Sequence, residues 1–304
     1  MDKLHTTRIV HSLRQAADEN LAAAGAALEG LKNAEKASDA VHDFRVALKR
    51  WRAFLRLLRG RIGDETVALR QEARLLSRTF DRSRDAQAAL DALTDIAESK
   101  EITAPSISQR TQATIADRLA GIRKTSEVVA LDAETTQRLR LGVARASACA
   151  TAWPLESMTF EDIAIALAQS FRRARRRLPK NWETASAEDV HEFRKAVVTF
   201  RYQIELIELL WPKMWRTFTG EVQKLRTQLG KSNDLVVLGR LTQPKQPLAH
   251  WRSRLALPIE NQRQFHLNRA TILASRIFAE SPRSFQKRIE AMSKAAVAVH
   301  AKCT

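Results

Sequence analysis

The pentapeptide Val41-His42-Asp43-Phe44-Arg45 returns 149 residues later as Val190-His191-Glu192-Phe193-Arg194. The same register, without a gap, pairs Arg52 with Arg201, Leu57 with Leu206, Glu72 with Glu221, Leu76 with Leu225, Ser83 with Ser232 and Asp85 with Asp234. Such a match over more than forty residues predicts a chain built from two copies of one unit, which removes most asymmetric layouts from consideration. Trp153-Pro154 is the natural seam, giving halves 1–150 and 151–304 of a single domain.

The unit is helical. Only 9 Gly and 8 Pro occur in 304 residues, Ala, Leu, Arg and Glu are abundant, and no stretch alternates as a strand would. The pattern predicts helices near 3–34, 39–60, 64–80, 83–98, 105–129 and 132–149 in the first half. It predicts 159–178, 187–210, 213–229, 232–242, 246–279 and 282–300 in the second. Asp39 is expected to cap the second helix, Gly60 to Gly63 to break it, Pro105 to open the fifth, and Pro258 to bend the helix that holds it. Short turns between helices favour antiparallel neighbours, so the fold class is all-α, with two pseudo-symmetric helical bundles.

The formal charge is +17 and the isoelectric point about 10.6. The second half carries most of the excess, +12 against +5, much of it in FRRARRRLPK, residues 171–180. Such a chain attracts polyanions before any specific contact forms, whether nucleic acid, anionic membrane or polyphosphate. The bland alternative is a basic helical protein with a solvated surface. Cys149 and Cys303 belong to no metal-binding or disulfide pattern. Charges interrupt every apolar run near the N-terminus, so neither a signal core nor a membrane span is expected, and a cytoplasmic location is.

The repeated segment concentrates the charge. Placed on a helix at about 100° per residue, His42, Arg45, Lys49, Arg52 and Arg56 fall within a band about 80° wide. Phe44, Leu48, Trp51, Leu55 and Leu58 fill the adjoining band, and Asp43 is the only acid from 41 to 58. A solvated face would intersperse acids four residues away, so this ladder expects an external anion. Arg74, Arg78 and Arg82 step by four on the next segment and Arg84 follows; antiparallel packing would let both stripes line one groove. Guanidinium forks suit phosphate. The competing reading has Glu72, Asp81 and Asp85 neutralise several of these groups.

In the second half His191, Arg194 and Arg201 keep their places, with Lys195 and Tyr202 beside them and Lys231 where Arg82 stands. Val198 replaces Lys49 and Glu205 replaces Arg56; Arg172, Arg175 and Arg176 on the preceding helix could restore the charge, or form a solvated basic face. Neither histidine has the metal-binding acids or poised base that phosphoryl transfer needs, and no P-loop occurs. Each is expected to donate to phosphate or to a neighbouring loop, with a pKa lowered among arginines. Asp85 and Asp234 read as helix caps or as orienters of nearby arginines.

At HDFRVALKRWR (42–52), HEFRKAVVTFRY (191–202), FDRSRDAQAAL (80–90) and LGKSNDLVVL (229–238) the chain resembles the CHAD family, the conserved-histidine α-helical domain. The resemblance covers nearly the whole chain and implies binding of inorganic polyphosphate through a basic channel between two helical bundles, association with polyphosphate granules, no cofactor and no catalysis. It implies His42, Arg45, Lys49, Arg50, Arg52, Arg84, His191, Arg194, Arg201 and Tyr202 as anion ligands. The family usually has basic residues where Val198 and Thr199 stand, and Gly where Asp81 stands. Two other readings stay open: a nucleic-acid-binding helical protein, and a phosphate-hydrolysing or phosphate-transferring enzyme.

Overall fold

The computed structural model describes residues 3–31, 37–99, 107–130 and 132–303. Among these the elements are α1 (Lys3–Gly30), α2 (Ala37–Ile62), α3 (Asp64–Arg78), α4 (Asp81–Glu98), α5 (Gln109–Ala130), α6 (Ala133–Thr151), α7 (Phe160–Arg177), α8 (Ala187–Ile204), α9 (Pro212–Leu241), α10 (Arg252–Ile277) and α11 (Pro282–Cys303). Short 3-10 segments lie at Leu155–Ser157, Glu205–Leu210 and Ala249–Trp251. No strand occurs among the described residues, and the fold is all-α as expected.

Local chemistry sets the boundaries. α7 and α8 open with capping boxes, Thr159 with Asp162 and Ser186 with Asp189, each side chain satisfying the other's backbone N–H. Asp132 caps α6 by accepting from the Thr135 N–H at 2.6 Å. Asp39 lies inside the first turn of α2, where its charge favours the helix dipole, and is not the cap that the pattern predicts. Gly60 is helical; α2 ends at Ile62, and the turn falls on Gly63, whose φ of 78° is open to glycine at no steric cost. Pro258 is accommodated inside α10. The predicted opening of α5 at Pro105 lies outside the described residues.

The two helices predicted at 213–229 and 232–242 are one continuous helix, α9, of 30 residues. A mid-helix glycine such as Gly230 costs only about 1 kcal/mol relative to alanine, and the packing of Leu225, Leu229, Ser232 and Leu235, all buried, outweighs it. α9 thereby joins two apolar cores. The larger holds Phe44, Trp51 and Leu55 of α2 with Phe171 of α7, Phe200 of α8 and Trp215 of α9. The smaller is formed by Ala89 and Leu93 of α4, Ile115 and Leu119 of α5, Leu235 and Leu238 of α9, and Leu255 of α10. The apolar band read on α2 is thus the buried one, and Trp51 stacks on Trp153 with ring centroids 5.7 Å apart. Both cores draw residues from before and after position 150. Across that boundary the buried Gln203 Nε2 donates to the Ala53 carbonyl at 2.7 Å, tying α8 to α2.

A polar knot ties α4 to α9 and α10. Nearly fully buried, His266 sets Nε2 against Asp95 Oδ2 at 2.6 Å and Nδ1 against Gln228 Oε1 at 2.7 Å. Gln262 donates to Asp95 at 2.8 Å and Lys231 pairs with the same carboxylate. Burial alone would raise the Asp95 carboxyl, but the hydrogen bonds from His266, Lys231 and Gln262 outweigh it and hold the group far below the ordinary carboxylate range. Its stabilising contribution is therefore fully present at neutral pH and is lost as pH falls below the ordinary carboxylate range towards the group's own lowered pKa. Asp95→Ala should lower the unfolding free energy by about 3–5 kcal/mol at neutral pH, read by urea denaturation, with the gap to wild type closing in acid.

Candidate anion-binding site

Where the larger core gives way to the smaller, a cavity of about 830 Å³ opens between α2, α4, α5, α8 and α9. One end is cationic. α2 contributes His42, Arg45 and Lys49, α4 contributes Arg84, α8 contributes Arg194, and α9 contributes Arg226. Acids line the cavity as well, Asp91, Asp95 and Glu98 on one face of α4, Glu127 on α5, Asp39 on α2 and Asp234 on α9, together with Arg123 on α5 and Lys231 on α9. The positions 91, 95 and 98 are a helical stripe of the same kind as the basic one. Among the described residues no three His, Cys, Asp or Glu side chains converge to hold a metal.

The cationic end is electrostatically crowded. Arg45 is buried and donates through Nη1 to the Phe80 carbonyl at 2.8 Å, which clamps the α3–α4 turn onto α2. Burial and the neighbouring Arg84 bring its pKa down to about 10, against the opposing charges of Asp81 and Asp85. Burial likewise brings Arg194 down to about 10, partly offset by Asp234. Lys49 is affected most. Burial, followed by the charges of Arg45, Arg194, Arg84 and Arg226, brings its ammonium from 10.5 down to about 7. No carboxylate pairs with Lys49 among the described residues, whereas Asp234, itself raised by burial, stands beside Arg194. Gly230 lies under the Arg194 guanidinium; a Cβ there would sit 3.9 Å from Nε.

The remaining sequence candidates are dispersed. His191 does not line the cavity; its Nδ1 meets Asn233 Oδ1 at 2.8 Å, and burial lowers its pKa with help from Lys195 and Arg194. Arg50 and Arg201 stack on the Tyr202 ring, at 5.7 and 4.9 Å from its centroid, and Arg201 pairs with Glu205 at 2.8 Å. Lys195 pairs with Glu192. Arg52 turns towards Arg70 and Arg74 of α3, and Arg56 lines a separate cavity. Arg74, Arg78 and Arg82 are exposed and line neither cavity, so the expected single groove with both stripes does not form. Arg172 and Arg176 are exposed on α7, and Arg175 donates to the Phe278 carbonyl at 3.2 Å. Asp85 and Asp234 lie inside α4 and α9, so neither is a cap; each stands by an arginine, Asp85 by Arg45 and Asp234 by Arg194.

Several lining groups escaped the sequence reading, Arg123 and Glu127 of α5 among them. Arg226 has Ser77 as its partner in the 149-residue register and so carried no repeat signal; its spacing from Gly230 and Asp234, four residues at each step, is what puts all three on the cavity face of α9. The acids of α4 were visible at helical spacing but lay outside the repeated motif.

The model of the CHAD domain family matches residues 15–243. Among solved structures the chain resembles the CHAD domain from the plant Ricinus communis, with a TM-score of 0.57 and 22% identity over 90% of this chain and 91% of that one. No curated protein sequence matches.

Proposed function

Because the chain belongs to the CHAD domain family, we propose that it binds inorganic polyphosphate, without turning it over, at the cationic end of the cavity between α2, α4, α8 and α9. One observation carries the reading: Lys49 is surrounded by Arg45, Arg84, Arg194 and Arg226, from four helices, and has no carboxylate of its own among the described residues. Such convergence costs stability in the free protein and is offset when a polyanion enters. Arg45, held by the Phe80 carbonyl, presents its remaining N–H groups from a fixed position. Arg194, from α8, lies across Gly230 of α9. Successive phosphates satisfy the forks, Lys49 sits at their centre, and released counterions add a favourable term that weakens with salt.

The family's known role in polyphosphate binding supports the same reading, as does the absence of any need for base readout in so concave a site. Inside the cell the protein would then sit at polyphosphate granules. A competition titration tests the proposal: labelled polyphosphate bound to the full chain, challenged with unlabelled polyphosphate, duplex DNA and single-stranded RNA at equal phosphate concentration. Displacement by polyphosphate alone is expected; equal displacement by all three overturns it in favour of general polyanion binding. Incubation with polyphosphate and magnesium should leave the polymer length unchanged on a gel, and shortening would overturn the binding-only role.

A further inference from the structure

A second cavity, of about 510 Å³, lies between the C-terminal part of α2, α3 and α7. Five guanidinium groups line it, from Arg56, Arg59, Arg61, Arg70 and Arg173, against one carboxylate, Asp162. That carboxylate is already engaged. It accepts from Arg61 Nη2 at 2.8 Å, and from the Thr159 N–H at 2.8 Å and hydroxyl at 2.7 Å in the α7 capping box. Arg59 and Arg61 have a structural reason to be there, because they stand in the last turn of α2 and complement its dipole. Arg56, Arg70 and Arg173 have none. They come from three different helices and form no ion pair with a carboxylate among the described residues. Glu192, the acid nearest Arg173, pairs instead with Arg177 and Lys195. Burial lowers the pKa of Arg70, as does Arg59; burial and then Arg177 lower that of Arg173. The buried Leu57 and Met158 give it an apolar floor, beside the uncharged polar Gln169 and Ser170.

We propose that this basin is a second anion site, filled independently of the larger cavity, that takes the condensed-phosphate group of a compact ligand. Five guanidinium groups against one carboxylate leave four positive charges, more than the roughly two negative charges of a single phosphate offset, whereas two or three linked phosphates match them and give each of the three unpaired forks its own oxygens. The proposal does not rest on polyphosphate occupying the larger cavity.

The test titrates the full chain carrying Lys49→Glu, which silences the larger cavity, with inorganic tripolyphosphate by calorimetry. Saturable binding to one site is expected, and adding Arg56→Ala with Arg173→Ala should weaken it at least about tenfold. In the otherwise wild-type chain the same pair should remove one bound equivalent while circular dichroism stays unchanged. Arg70→Gln gives a second route should the pair unfold. ATP in place of tripolyphosphate separates the sources: equal affinity means the basin also accepts a nucleoside on its apolar floor, and selective tripolyphosphate binding means it takes the inorganic anion; both support the site. Absence of binding in the Lys49→Glu chain, or binding indifferent to Arg56, Arg173 and Arg70, overturns it. The polyphosphate reading fails separately, if Lys49→Glu leaves polyphosphate affinity intact.

Discussion

Arg84→Glu combined with Arg226→Glu lowers polyphosphate affinity at least about 100-fold at about 0.15 M salt, while Arg78→Glu with Arg82→Glu, the same change in net charge, shifts it by less than about threefold. The contrast follows from placement. Arg84 and Arg226 line the cationic end of the larger cavity and both act on Lys49. Neither holds the backbone, unlike Arg45, whose bond to the Phe80 carbonyl makes its loss a folding defect as well. Arg78 and Arg82 are exposed and line neither cavity. Fluorescence titration with labelled polyphosphate reads the affinities, and far-ultraviolet circular dichroism confirms that both variants stay helical. Equal losses in the two pairs would mean that the overall charge of +17, and not the cavity, carries the interaction.

Polyphosphate affinity falls as pH rises above neutrality, by up to about tenfold per pH unit for one coupled proton, while the stability of the free protein rises over the same range. Both trends originate at Lys49. Its pKa in the free fold is about 7 instead of 10.5, so above pH 7 the folded chain has given up a proton that the unfolded chain keeps. Wherever the unfolded state holds more protons, stability increases with pH. A bound polyanion reverses the local field, draws the pKa back up and makes binding take up a proton. That uptake becomes harder as protons grow scarce. Calorimetry in buffers of different ionisation enthalpy measures the uptake directly. Lys49→Met should flatten both the affinity slope and the stability slope; a slope that survives in this variant would move the linkage to another group.

Much of the fold was legible in the sequence because helix periodicity needs no knowledge of what packs against it: the apolar band of Phe44, Leu48, Trp51, Leu55 and Leu58 is the face that α2 buries. The site was legible only in part. A helix of 26 residues is about 39 Å long, more than one cavity can span. The ladder from His42 to Arg56 is therefore shared out: Arg45 and Lys49 face one cavity, Arg52 faces the arginines of α3, and Arg56 reaches the second basin. Which rung meets which neighbour depends on the axial placement of α3, α7 and α9, and no single-helix pattern encodes it. The same applies to Lys231, whose charge reads as free in sequence but pairs with Asp95 across the chain.

The face that α4 turns to the cavity runs from Arg84 to Asp91, Asp95 and Glu98. A polyanion bound as proposed beside Arg84 would meet like charge about two turns further along the same helix, so the cavity would hold only a short stretch of it. The rest of a long polymer would stay in solution, open to a second copy of the protein, and a long strand would then tether molecules to one another.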